Sequence, residues 1–186
     1  MIASQPALHM GSQLVATEEL TVSPEIAFSR ICSISTWPVW LSFVRRAELN
    51  DRTSELTHSS DVLLASDLSE GAEEVFEVEE LIKPYLLTLV GAFSCRRRIQ
   101  FRIEAKNKLA KVIVKIAYPR RGGLFYKPFD GFMQRRKLNA ALVHSLQTFK
   151  GLVEHDAVEQ SERYAALAPS ELGADSAPFE LRESLI

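Results

Sequence analysis

Residues 23–40, SPEIAFSRICSISTWPVW, constrain the fold of this chain more than any other stretch. Ser23 followed by Pro24 is a helix start: a hydroxyl to accept from free first-turn amides, then a ring that presets φ. Ile26, Ala27, Ile31 and Ile34 supply the apolar side of that helix. Pro38 interrupts the next run, so two small helices are expected rather than one. Trp37 and Trp40 stand three apart and share one side of the second. Residues 14–22, just before, read as a strand. A strand, two short helices with a bulky aromatic landing, then many strands describe a chain that wraps a sheet around an interior.

The later pattern has period two. Arg96, Arg98, Gln100 and Arg102 alternate with Arg97, Ile99, Phe101, Ile103 and Ala105. Lys111 and Lys115 alternate with Val112, Val114, Ile116 and Tyr118, and Phe76 and Val78 with Glu77 and Glu79. One wet and one apolar face per strand predicts an antiparallel sheet. Turn signals fall at 69–71, 83–84, 106–107 and 121–123. Leu138, Leu142, Leu146, Phe149 and Val153 recur at helical spacing and predict a helix over about 130–154. The expected organisation is a flexible N-terminus at 1–13, one α+β domain at 14–154 and an acidic, disordered tail at 155–186, with a transient helix near 159–167.

At 186 residues the chain is long enough to bury one real core, and a net charge of −2 gives no general pull toward nucleic acid or anionic membrane. Cys32 and Cys95 lie in apolar segments without metal-ligand spacing and read as reduced thiols. The N-terminal segment lacks the charge and apolar run of a signal peptide, and no apolar run approaches the roughly 20 residues that span a bilayer, so a cytoplasmic location is expected. His9, His58, His144 and His155 are scattered, and there is no phosphate loop, dinucleotide fingerprint or nucleophile elbow. No metal and no cofactor is expected. His144 is the one histidine on the expected long helix: facing the interior it would suit a general base, and on the helix flank it would be inert.

The opening T21-V-S-P-E-I-A-F28, followed by I34-S-T-W-P-V-W40, resembles the start of the SRPBCC (START-like) superfamily, which shares the birch-pollen-allergen fold. Lys83-Pro84-Tyr85, Gly91 and the closing helix fit the same plan in order, over about residues 14–153. Members often carry Asp where this chain has Ser33 or Ser35. The resemblance implies a helix-grip fold: a curved antiparallel sheet of about seven strands wrapped around a long C-terminal helix, with two short helices after strand 1. It also implies an apolar pocket for a lipid-, sterol- or polyketide-like molecule. Inward strand positions and the inner helix face would line it: Trp40, Phe76, Val78, Leu89, Phe101, Ile103, Val114, Ile116, Leu142 and Phe149. The same side chains are also what any core of this shape requires. Strand parity adds Arg97, a cation able to hold an acidic or carbonyl ligand unless it reaches water at the strand start.

Charge is unevenly spread. Residues 48–80 hold eleven acids against Arg52 alone, and residues 96–137 hold fourteen basic residues against Glu104 and Asp130. With early and late strands far apart, an electrically two-sided molecule is expected. Residues 120–137 interleave basic residues with Phe125, Tyr126, Phe129 and Phe132. That loop reads first as a gate over the cavity, second as a peripheral membrane contact, with nucleic acid a distant third. The function expected is binding of a hydrophobic or amphipathic small molecule, as carrier or sequestering protein. The rivals are a polyketide cyclase/dehydratase-type enzyme using the same cavity and a protein-interaction module using the charged faces. A shortage of inward Asp, Glu and His favours the carrier over the enzyme.

Overall fold

The Ser23 hydroxyl accepts from the Ile26 amide at 3.5 Å, and Pro24 opens helix α1 (Pro24–Cys32). A hydrogen bond with the same hydroxyl holds the Glu25 carboxyl below its usual range. α1 buries Ala27, Phe28 and Ile31. A single 3-10 turn, Ile34–Thr36, and the one-turn α2 (Trp37–Trp40) follow.

The computed structural model describes residues 12–50, 55–67, 72–92, 97–107, 109–118 and 128–167. Its seven strands are β1 (Ser12–Leu20), β2 (Val44–Leu49), β3 (Asp61–Ser66), β4 (Glu73–Ile82), β5 (Leu86–Gly91), β6 (Arg98–Lys106) and β7 (Leu109–Tyr118). They form one antiparallel sheet in the order β1-β7-β6-β5-β4-β3-β2. Five hairpin-type neighbours and one closure of β1 onto β7 make a meander, the topology expected of strands joined by short turns. Asn107, at φ 52, carries the β6–β7 turn, where a short polar side chain tolerates the left-handed region. Register shifts at Val44/Arg46 and Val78/Glu80 insert an extra residue each, which bends the strands and curls the sheet.

Directly paired residues share a face, so the registers trace the inner surface in rows. One row runs Leu14, Ile116, Ile99, Leu89, Val78, and the next runs Ala16, Val114, Phe101, Leu87, Leu81. All but the half-buried Leu81 are buried, while Arg102 on the opposite parity is exposed. The period-two expectation holds.

Helix α3 (Pro128–Leu167) packs chiefly along β1 and meets α1 and α2. Leu142, Ser145, Leu146, Phe149 and Val153 form its buried side. Polar ties fix its second half: Lys150 Nζ donates to Glu18 Oε1 at 3.1 Å and the Glu19 carbonyl at 2.8 Å, and Glu154 Oε1 accepts from Thr21 N at 2.8 Å.

Three expectations need correction. The helix does not stop at 154 but continues through residues 155–167, which composition assigns to a disordered tail. Ala and Glu are strong helix formers, and no proline intervenes before Pro169. One tertiary and two local pairs carry the extension onward: Asp156 with Arg30 of α1 at 3.6 Å, and Glu159 with both His155 and Arg163 one turn away on either side. At the other end β1 already begins at Ser12, inside the segment expected to be flexible. Residues 1–11 and 168–186 lie outside the described residues. The third concerns charge. Acidic β4 and basic β6 are separated only by β5, so Arg97 pairs with Glu74 and Arg98 with Glu79. Arg46 likewise reaches Glu48 and Glu73. The acidic and basic blocks therefore meet across β5 at two pairs, Arg97–Glu74 and Arg98–Glu79.

Half-buried Cys32 follows the sequence reading as a free thiol. Burial pushes its pKa up to about 11 against a small opposing influence of Lys83, so the nucleophilic thiolate is scarce at neutral pH. In a Cys95→Ser variant, Cys32 should alkylate with iodoacetamide at pH 8 at least about tenfold slower than the same protein in denaturant. Equal rates would refute that burial. Because the folded thiol keeps its proton between about 9 and about 11 while the unfolded one loses it, this group removes stability as pH rises through that window.

Candidate functional site

The interior is built where α2, α3 and the inner sheet face meet. Phe101, from β6, lies 5.0 Å from Trp37 and 6.1 Å from Trp40, ring centre to ring centre. Trp40 in turn stands 6.3 Å from Trp37 edge to face and 4.6 Å from Phe149 of α3. Such tilted and edge contacts are the favoured geometries of aromatic pairs. The one-turn α2 makes this possible: the backbone closes from Leu41 N to the Trp37 carbonyl at 2.7 Å, so both indoles leave on the same side.

Every expected apolar lining residue lies on this inner surface. Trp40, Phe76, Val78, Leu89, Phe101, Ile103, Val114, Ile116, Leu142 and Phe149 are all at most 2% exposed. They belong to one continuous apolar cluster, in which the aromatic rings touch each other. Two clefts open elsewhere. One of about 550 Å³ lies between Gln13–Val15 of β1 and Arg135, Arg136 and Asn139 of α3. A smaller one of about 340 Å³ lies between Arg30 of α1 and Asp156 of α3. Neither is lined by the expected interior aromatics.

Arg97 does sit on the inner parity, with only 14% of its side chain exposed. Its Nη1 donates to Glu74 Oε2 at 2.6 Å, so its cation is already engaged. Gly91 accounts for the reach. It pairs with Phe76 on one side, its amide donates to the Arg97 carbonyl on the other (2.8 Å), and with no side chain it leaves the row open. Glu74 is two residues before Phe76 and directly opposite Leu64, hence on the inner face. Sequence reading missed it, although the Phe76/Val78 alternation extended by one step points to it. Glu18 was missed in the same way: it follows Leu14 and Ala16 at period two and faces inward to Lys150.

Of the expected gate residues, Phe125 and Tyr126 lie outside the described residues. Phe129 and Phe132 fall on the first turns of α3, which starts at Pro128, so the segment expected as a loop to 137 is helical from 128 onward. His144 is exposed, on the flank of α3. No group of three or more potential metal-binding side chains occurs among the described residues. No helix among them is long and apolar enough to cross a membrane.

A START superfamily protein from Mycobacterium smegmatis is similar in structure, with a TM-score of 0.60 at 14% identity, covering 78% of this chain and 99% of its own. The chain has the helix-grip fold of the START superfamily. A protein from Thermus thermophilus is similar at a TM-score of 0.54 and 12% identity, covering 81% and 99% of the two chains. DynU16, from the dynemicin biosynthetic locus, matches at 0.53 and 12%, covering 76% of this chain and 47% of its own. No protein-family model matches the sequence, and no curated protein matches it. The shared feature is thus the START backbone plan, and the side chains of the grip are this chain's own.

Proposed function

We propose that this protein binds a hydrophobic or amphipathic small molecule in the grip between its curled sheet and α3, as a cytoplasmic carrier or sequestering protein. The observation that carries the reading is the continuous apolar surface in which Trp40 and Phe149 meet across α2 and α3 over Phe101 of the sheet. A ligand that parts these rings exchanges ring-on-ring contact for ring-on-ligand contact and keeps the apolar surface out of water. START superfamily proteins commonly bind such molecules, which supports the same reading. Contact of residues 120–137 with a membrane surface would suit a carrier that collects its cargo from lipid.

A cyclase or dehydratase is the second reading, and Glu74 with Arg97 favours it. A pure carrier needs no inward acid, and the inner face holds one beside a guanidinium. In such a pair the carboxylate can take a proton from a bound chain, while the guanidinium orients the carboxylate and stabilises developing negative charge.

Titration with the neutral fluorophore N-phenyl-1-naphthylamine tests the common core of both readings. Trp40→Ala and Phe101→Ala should each weaken its binding roughly tenfold while the far-ultraviolet spectrum is retained. Unchanged affinity in both variants would place the pocket elsewhere. Native mass spectrometry of the purified protein, followed by solvent extraction, would identify a retained ligand directly.

A further inference from the structure

The chain has two tryptophans, three residues apart on the same short turn, and their indoles are treated differently. Trp37 Nε1 donates to the Ile31 carbonyl at 2.8 Å, which makes it a structural strut. Trp40 is 1% exposed, and its Nε1 is buried with no acceptor within hydrogen-bonding distance among the described residues. Buried indole N–H groups almost always find a partner, because an unpaired donor forfeits its hydration with nothing in return.

The buried hydroxyls do not share this condition. Ser145 Oγ donates to the Ala141 carbonyl at 2.7 Å and accepts from the Ser42 amide at 2.9 Å. Thr88 donates to Glu80 at 2.8 Å, and Ser60 is bonded to Thr57. Arg30 and Arg98 also have an unpaired Nε, but their guanidinium groups are held by Asp156 and Glu79. Trp40 alone among these has a buried donor with no partner anywhere on its polar group, on an indole packed against the rings of Phe101 and Phe149. A phenylalanine would fill much the same space without that cost.

Resting on the binding role proposed above, we infer that Trp40 Nε1 is the polar anchor of the interior and selects a neutral apolar ligand bearing a carbonyl oxygen. The chemistry narrows the class. A hydrocarbon leaves the N–H unpaired. A carboxylate brings a charge beside aromatic rings, and the inward cation Arg97 is already taken by Glu74. A hydroxyl accepts the bond but buries a donor of its own. A ketone, aldehyde or ester satisfies the indole and adds no new donor.

The test uses the full chain and a matched pair, 2-acetylnaphthalene and 2-ethylnaphthalene, which differ by a carbonyl in place of a methylene. With ¹⁵N-labelled indoles the protein gives two side-chain cross-peaks, assigned by Trp40→Phe. The ketone should bind roughly tenfold tighter than the hydrocarbon. It should move the Trp40 N–H proton downfield and leave that of Trp37 in place. In Trp40→Phe the two ligands should bind alike. Equal affinities in the wild-type protein, a preference that survives Trp40→Phe, or a stationary Trp40 cross-peak each overturn the assignment while leaving the binding role intact. Failure of both ligands and of the naphthylamine probe overturns the binding role as well.

Discussion

Trp37→Ala should cost about 3–5 kcal/mol of folding stability, the range for deleting a large, fully buried aromatic. Trp37 has no solvent exposure, packs against Trp40 and Phe101, and donates to the Ile31 carbonyl from within the same helical entrance. The substitution thus removes two ring contacts, opens a cavity beside a rigid sheet and leaves a carbonyl without its donor. The collapse that could refill such a hole is resisted on both sides, by the ladder of β6 and by the single closed turn of α2. Trp37→Phe separates the parts: it keeps most of the ring and should lose about 1 kcal/mol for the hydrogen bond plus a modest packing cost. Urea unfolding followed by far-ultraviolet circular dichroism measures both. A loss below about 1 kcal/mol for the alanine variant would mean that Trp37 is not a keystone of this interior.

Arg97→Met should destabilise by about 1–3 kcal/mol, more than surface ion-pair variants such as Arg45→Met. The reason is asymmetry. Arg97 and Glu74 have side chains 14% and 19% exposed, whereas Arg45 and Asp67 stand at 69% and 49%. Removing Arg97 leaves the Glu74 carboxylate on an inner face without its partner, while removing Arg45 returns Asp67 to water. The double variant Arg97→Met/Glu74→Gln should recover part of the loss, because the carboxylate is removed with its counter-charge. A double-mutant cycle reads this coupling. Additive effects would show that the pair contributes nothing beyond the separate side chains.

Much of this architecture is legible because it rests on local chemistry. The Ser23-Pro24 cap, the period-two alternation through Phe101 and Val114, and the 3.6-residue recurrence of Leu142, Leu146, Phe149 and Val153 each need only a few neighbouring residues. Turn residues between strands then leave a meander as the simplest pairing, and the structure follows it. The end of α3 is where composition misleads, since a stretch from 155 onward rich in Ala, Glu and Ser, with prolines further on, suggests disorder. The Ala, Glu and Arg content of residues 155–167 serves a helix equally well once the preceding turns are docked on β1.

The candidate site divides differently. Which residues face inward follows from parity, and all ten apolar positions lie there. What they touch does not follow. That Trp40 meets Phe149, remote in the chain, depends on where α3 crosses α2, and no local pattern encodes a crossing. That Arg97 is engaged by Glu74 depends on β5 being the one strand between β4 and β6, with Gly91 leaving the row open. The sequence by itself determined the elements, their inward faces and the meander, because caps, turns and hydrophobic periodicity act over a few residues. The tertiary structure alone decided the partners: which indole is satisfied, which cation is neutralised, and that the acidic and basic blocks meet across β5 at Arg97–Glu74 and Arg98–Glu79. Those outcomes hang on distances between elements remote in the chain, which only packing sets.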